Sequence, residues 1–201
     1  MRPRDNPFRT ELTDALPYHP QDTTWEALLA RLRRLDYRAA IVGPHGSGKT
    51  TLLEELARRL EDQGLRTIRL RVDERRPLRV LADLRAAQEA IGPDAVVLLD
   101  SAELLGRFGW ALLKARTRRA RGLVATTHTP GHLPTLVRCS TNPLLLRQLL
   151  CELTPERAAK LAPVADRLFR ACGGNIRDVF RALYLALANG DPAAAQWAKE
   201  V

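Results

Sequence analysis

The run Gly43-Pro44-His45-Gly46-Ser47-Gly48-Lys49-Thr50 sets glycines, a lysine and a threonine at the spacing Gly-x4-Gly-Lys-Thr. Those residue types at that spacing suit the holding of a phosphate chain. Gly43, Gly46 and Gly48 let the backbone come close to an anion with no side chain between them. Loop N–H groups, and the free N–H groups of a helix start, then converge on phosphate oxygens. Lys49 is placed to reach β- and γ-phosphates, and the Thr50 hydroxyl to hold Mg²⁺. With Thr51 beside them, residues 43–51 form the expected nucleotide-binding set, and ATP and Mg²⁺ are the expected ligands. An ordinary glycine turn capping a helix would need no such spacing.

A second group complements the first. Val96-Val97-Leu98-Leu99-Asp100 is an apolar run that ends in a carboxylate. An acid at the end of a buried strand can hold the metal shell opposite Thr50. The same Asp100 could instead cap a helix beginning at Ala102. Hydrolysis also needs a group that orients or deprotonates water. Ser101 follows Asp100 directly, and Glu103, about one helical turn on, is the candidate. An acid there equally suits a helix N-terminus.

These groups need elements to position them. Residues 38–42 read as a buried strand. The helix after the loop carries Leu52, Leu53, Leu56 and Leu60 on one face. A second strand is expected over 65–72, its arginines marking a sheet edge. Helices are expected over 78–91 and 102–121, the latter with a bend at Gly106 or Gly109. Further strands are expected over 95–99, 122–127 and 136–139. Alternating strands and helices imply an α/β fold, a parallel sheet flanked by helices. Upstream, Thr23 with Glu26 reads as a capping box opening a helix that contains Trp25, Leu28, Leu29 and Leu32. From residue 142 only helical periodicity remains. The third segment, with Ile176, Val179, Phe180, Leu183, Tyr184 and Leu187, has a clear 3.6 period. The expected organisation is an extended arm over 1–22, a nucleotide-binding domain over 23–141, a three-helix lid over 142–190 and a tail over 191–201. Gly190-Asp191-Pro192 ends the last helix.

The chain has 201 residues, 45% of them hydrophobic, enough for one medium core. No apolar run nears the roughly 20 residues of a membrane span, and the start lacks a signal-peptide pattern. A cytoplasmic protein without membrane contact is expected. Cys139, Cys151 and Cys172 form no Cys-x-x-Cys pair and read as small buried residues. His128 and His132 flank Pro130-Gly131, so they sit in a loop and not on a zinc-binding helix. The net charge of +9 makes nucleic acid a candidate partner. Only Lys49, Lys114, Lys160 and Lys199 are lysines, however, and an arginine-rich composition also follows from a GC-rich coding sequence.

In motif order the chain resembles the AAA+ ATPases, in particular compact bacterial initiator, helicase-loader and transposition ATPases. The resemblance covers roughly 38–190. It implies that residues 122–128 form the sensor 1 strand, with Thr127 and then His128 as the polar residue near the γ-phosphate. It also implies that Gly173-Gly174-Asn175-Ile176-Arg177 is sensor 2. Locally, Asn175 suits an N-cap, and Arg177 places a cation at the positive end of a helix, which a bound anion or Asp178 would offset. Asn6-Pro7-Phe8 and Tyr18 would line the adenine, or simply pack the arm. Oligomerisation through an arginine finger is implied, with Arg116, Arg118, Arg119, Arg121 and Arg138 as candidates. The run from Arg116 to Arg121 equally suits a solvated helix end or a phosphate-binding patch.

Three functions follow: an ATPase motor or switch acting on nucleic acid or a partner protein, a nucleotide-gated module that seldom hydrolyses, and a small-molecule kinase. For the first, Lys49, Glu103, Thr127 and Arg177 are the expected catalytic residues.

Overall fold

Ala95–Asp100 and Gly122–Thr127 are buried at every position. Near-continuous apolar strands of this kind are stable only in a sheet covered on both faces. A computed structural model of the chain describes residues 2–189 and builds that sheet. Its strands are β1 (Arg38–Val42), β2 (Arg66–Arg71), β3 (Ala95–Asp100), β4 (Gly122–Thr127) and β5 (Thr135–Arg138). All pair in parallel, in the order β2-β3-β4-β1-β5. β4 therefore lies between the strand that carries the glycine loop and the strand that ends in Asp100.

The helices are α1 (Thr10–Asp14), α2 (Trp25–Arg34), α3 (Lys49–Glu61), α4 (Arg79–Ala86), α5 (Arg107–Arg116), α6 (Pro143–Leu153), α7 (Ala158–Ala171) and α8 (Ile176–Asn189). The expected end at Gly190-Asp191-Pro192 and the tail over 191–201 lie outside the described residues. The chain divides into two compact units. One takes its described residues from 20–44 and 48–139, the other from 1–19, 45–47 and 140–201.

In the sheet unit, α4 and α5 pack with Val97, Leu99, Leu123 and Ala125 in one apolar cluster. α3 runs along β1 to β4, burying Leu52, Leu53, Leu56 and Leu60. β2 stands at the sheet edge, as its arginines imply. Arg66 reaches Asp94 at 2.7 Å and Arg69 reaches Glu61 at 2.7 Å. The Arg66 guanidinium, first through its hydrogen bonds, holds the Asp94 carboxyl below its ordinary range.

Two helix starts differ from expectation. α2 is capped by Thr24, whose hydroxyl accepts from Ala27 N at 3.3 Å, and not by Thr23. The expected helix over 102–121 is broken: a 3-10 turn, Ala102–Leu104, precedes α5, which starts only after Gly106.

In the other unit, α6, α7 and α8 share a core with Phe8. Every apolar residue expected on α8 belongs to it, Tyr184 at its margin. The N-terminal segment carries a 3-10 turn (Pro3–Asp5) and α1 where an irregular arm is expected. Phe8 stacks on Phe180 with ring centroids 5.9 Å apart, and Asn6 Nδ2 donates to Tyr184 O. These residues pack the arm within its own unit. Of the cysteines only Cys139 is buried, while Cys151 is exposed.

Candidate functional site

The glycine loop leaves β1 at Gly43, whose N–H donates to Thr127 O at 3.1 Å. It enters α3 through Gly48, which occupies the N-cap with φ 82°. Gly46 has φ 69°. Both lie in the left-handed region, where an L side chain costs roughly 1–2 kcal/mol. Space adds a second constraint at Gly46: a Cβ there would stand 1.8 Å from Asn175 Oδ1. No side chain caps α3 and its first turn holds no acid, so the helix start keeps the donors that an anion takes.

Lys49 opens α3 and is 8% exposed. Its Nζ donates to Gly43 O and Pro44 O, each at 2.8 Å. The loop thus folds around its own lysine, and its carbonyls hold the ammonium. One residue on, the Thr50 hydroxyl lies 3.1 Å from Asp100 Oδ2 and 3.3 Å from Oδ1. A carboxylate only accepts, so Thr50 donates. Asp100 does not cap the following turn; its carboxylate faces α3 across the sheet end. Arg71 Nε stands 3.9 Å away on an exposed side chain.

Thr126, a residue that sequence reasoning passed over, completes the Asp100 environment. It donates to Asp100 Oδ1 at 2.6 Å and accepts from Ser101 N at 2.8 Å. Ser101 has φ 61°, a conformation uncommon for serine. The Thr126 hydroxyl therefore holds both the acid and the turn that follows it. Two threonines end β4, and alternation puts them on opposite faces. The face toward Asp100 depends on which strand neighbours β4, a fact that no local pattern carries. Thr126→Val keeps the shape but leaves the Ser101 N–H without its partner. It should lower unfolding stability by about 1–3 kcal/mol in urea titration. An unchanged midpoint would remove the relay from this account.

Thr127 directs its hydroxyl to Thr129 O at 2.9 Å, and its carbonyl holds Gly43. His128, next along, places Nε2 3.1 Å from Glu103 Oε1. The 3-10 turn thus carries Glu103 toward the end of β4, where His128 meets it. His132 stacks on Trp110, centroids 4.4 Å apart and planes 6° apart, and takes no part in that pair.

In the helical unit, Asn175 Oδ1 accepts from Asp178 N, and Asn175 Nδ2 donates to Asp178 Oδ2 at 2.6 Å. Asp178 is therefore occupied by the cap. Arg177, exposed at the second position of α8, is engaged by no carboxylate among the described residues.

Fold and site together define a parallel α/β protein whose glycine loop feeds a helix N-terminus beside a Thr–Asp–Thr cluster, its Asp100 and Thr126 buried. No family model matches the chain, and no curated protein matches it significantly. Among solved structures it is similar to a RuvB variant from Thermotoga maritima. The identity is 14%, over 84% of this chain and 70% of that one, with a TM-score of 0.45. A likeness at that level carries no argument about activity.

Proposed function

We propose that the chain binds ATP with Mg²⁺ at the glycine loop and hydrolyses it, working as a switch or motor on a partner protein or nucleic acid, as the AAA+ resemblance implies. The observation that carries this reading is the contact of Thr50 with Asp100, 50 positions apart in sequence, directly beside Lys49. A hydroxyl and a largely buried carboxylate are hard oxygen donors, the set that suits Mg²⁺. The residues present therefore fit the ion, which when bound would neutralise charge developing on phosphate oxygens.

The chain's own residues do the rest. Residues 43–48 and the start of α3 present N–H donors, Lys49 supplies a fixed cation, and Thr126 holds Asp100 in place. Glu103 is the candidate acceptor for a proton from water, and Thr127 sits where strand β4 meets the loop. The order β2-β3-β4-β1-β5, with one strand interposed between β1 and β3, fits the additional-strand class of P-loop ATPases better than a small-molecule kinase.

The nucleotide-gated module is the second reading. It is favoured by Ser101 standing directly after Asp100 and by the engagement of Glu103 with His128. Calorimetric titration with ATP, with and without Mg²⁺, together with steady-state phosphate release, separates the readings. Mg²⁺-dependent binding with turnover is expected. Binding without turnover selects the gated module, and absence of binding refutes both.

Arg177→Ala should weaken ATP affinity about tenfold, the loss of one charge-assisted contact. Because Arg177 is exposed, the melting temperature should hold. A variant that no longer folds would make its role structural.

A further inference from the structure

Between Glu103 and Glu152 the chain contains no carboxylate. Within that stretch cations gather at the end of α5 and the turn after it: Lys114, Arg116, Arg118, Arg119 and Arg121. Other arginines of the sheet unit are matched, Arg59 with Glu55, Arg66 with Asp94 and Arg69 with Glu61. The side chains of Lys114, Arg118 and Arg119 are exposed and make no ion pair or hydrogen bond among the described residues.

Cations at a helix C-terminus ordinarily serve its dipole and free carbonyls. Here that task is met from elsewhere. Arg38 Nη2 donates to Thr117 O at 2.9 Å and to Ala120 O at 3.2 Å. Arg121 is also held: its guanidinium lies 4.6 Å over the Tyr37 ring, and its backbone N–H donates to Gly92 O. Of the acids in these neighbouring turns, Asp94 is taken by Arg66, and Asp36 stands beside Tyr37 with Arg34 two residues before it.

We propose that this patch binds the phosphodiester backbone of duplex nucleic acid. A row of uncompensated cations on a short, anchored turn matches a polyanion with evenly spaced charges. Tyr37 is buried beneath Arg121, so the patch offers no aromatic face on which unpaired bases could stack. The exposed large apolar residues, Leu78, Phe108, Leu144 and Leu185, lie outside the 114–121 segment. An acidic protein partner would be expected to need such an apolar centre. Contact through phosphates alone carries no sequence information, so binding is sequence-independent and salt-sensitive. The turn leads into the start of β4, while the glycine loop and Asp100 lie at the strand ends, about 20 Å away along a six-residue strand. The duplex and the nucleotide thus occupy opposite ends of the sheet, and this inference does not rest on ATP binding.

Fluorescence anisotropy with a labelled DNA duplex and the matching single strand tests it on the full chain. Wild type should prefer the duplex. K114Q/R118Q/R119Q should weaken duplex binding about tenfold or more and lower the slope of log K against log salt by about 2–3. R118K/R119K, which keeps the charge, should bind as wild type does. R75Q/R76Q/R79Q removes the same charge elsewhere and should change affinity by no more than about twofold. Lys49→Ala should leave duplex binding intact, whatever becomes of ATP. Equal losses from the two glutamine triples, loss of binding in R118K/R119K, or absence of duplex binding would overturn the proposal. Tighter binding of polyglutamate than of duplex would also overturn it, in favour of an acidic protein.

Discussion

Lys49→Ala is expected to reduce ATP affinity by at least about 100-fold, close to 2.8 kcal/mol. The size follows from where the ammonium sits. It is largely buried and held at 2.8 Å by Gly43 O and Pro44 O. A cation fixed in a partly dehydrated loop meets an anion at little further ordering cost, and a charge-assisted contact there is about twice as strong as a neutral one. Alanine also leaves two loop carbonyls without their donor, so the loop itself should loosen. Displacement of a fluorescent ATP analogue gives the affinity, and a melting curve taken beside it separates loss of site from loss of fold. Wild-type affinity in a folded variant would remove the loop from nucleotide binding.

Glu103→Gln should lower ATP turnover by about 100-fold or more while leaving ATP affinity within about twofold, the loss typical of a removed general base. Glutamine keeps the shape and can sit against His128 as the carboxylate does, so the 3-10 turn should persist. Only the ability to take a proton disappears. His128→Ala should fall between wild type and that variant, because the 3.1 Å contact positions the carboxylate without replacing it. Single-turnover phosphate release separates the chemical step from product release. Unchanged turnover in Glu103→Gln would take Glu103 out of the mechanism, and no measurable turnover in wild type would favour the gated module.

Both expectations depend on a turn that periodicity alone misplaces. Residues 102–121 carry a helical pattern, yet the chain cannot run helically from Asp100. Ser101 adopts φ 61° and gives its N–H to Thr126, a residue on another strand. That long-range bond makes the break and delivers Glu103 to His128. The capping of α2 shows the same limit on a smaller scale: Thr23 and Thr24 are both good caps by type, and the geometry selects Thr24.

Local residue patterns were enough to place the glycine loop with its flanking strand and helix, the buried strand ending in Asp100, and the apolar faces of α6 to α8. Each of these is local. Glycine spacing fixes what the backbone can do, and apolar periodicity fixes which face must be covered. Long-range packing set the strand order, and with it the side of β4 that meets Asp100. It selected Thr126 over Thr127 as the partner of that acid, joined Glu103 to His128, and set Arg118 and Arg119 free at the far end of the sheet. The physical reason is that periodicity states how much surface must be buried, while the identity of the neighbour comes from contacts between residues tens of positions apart, which no local pattern encodes.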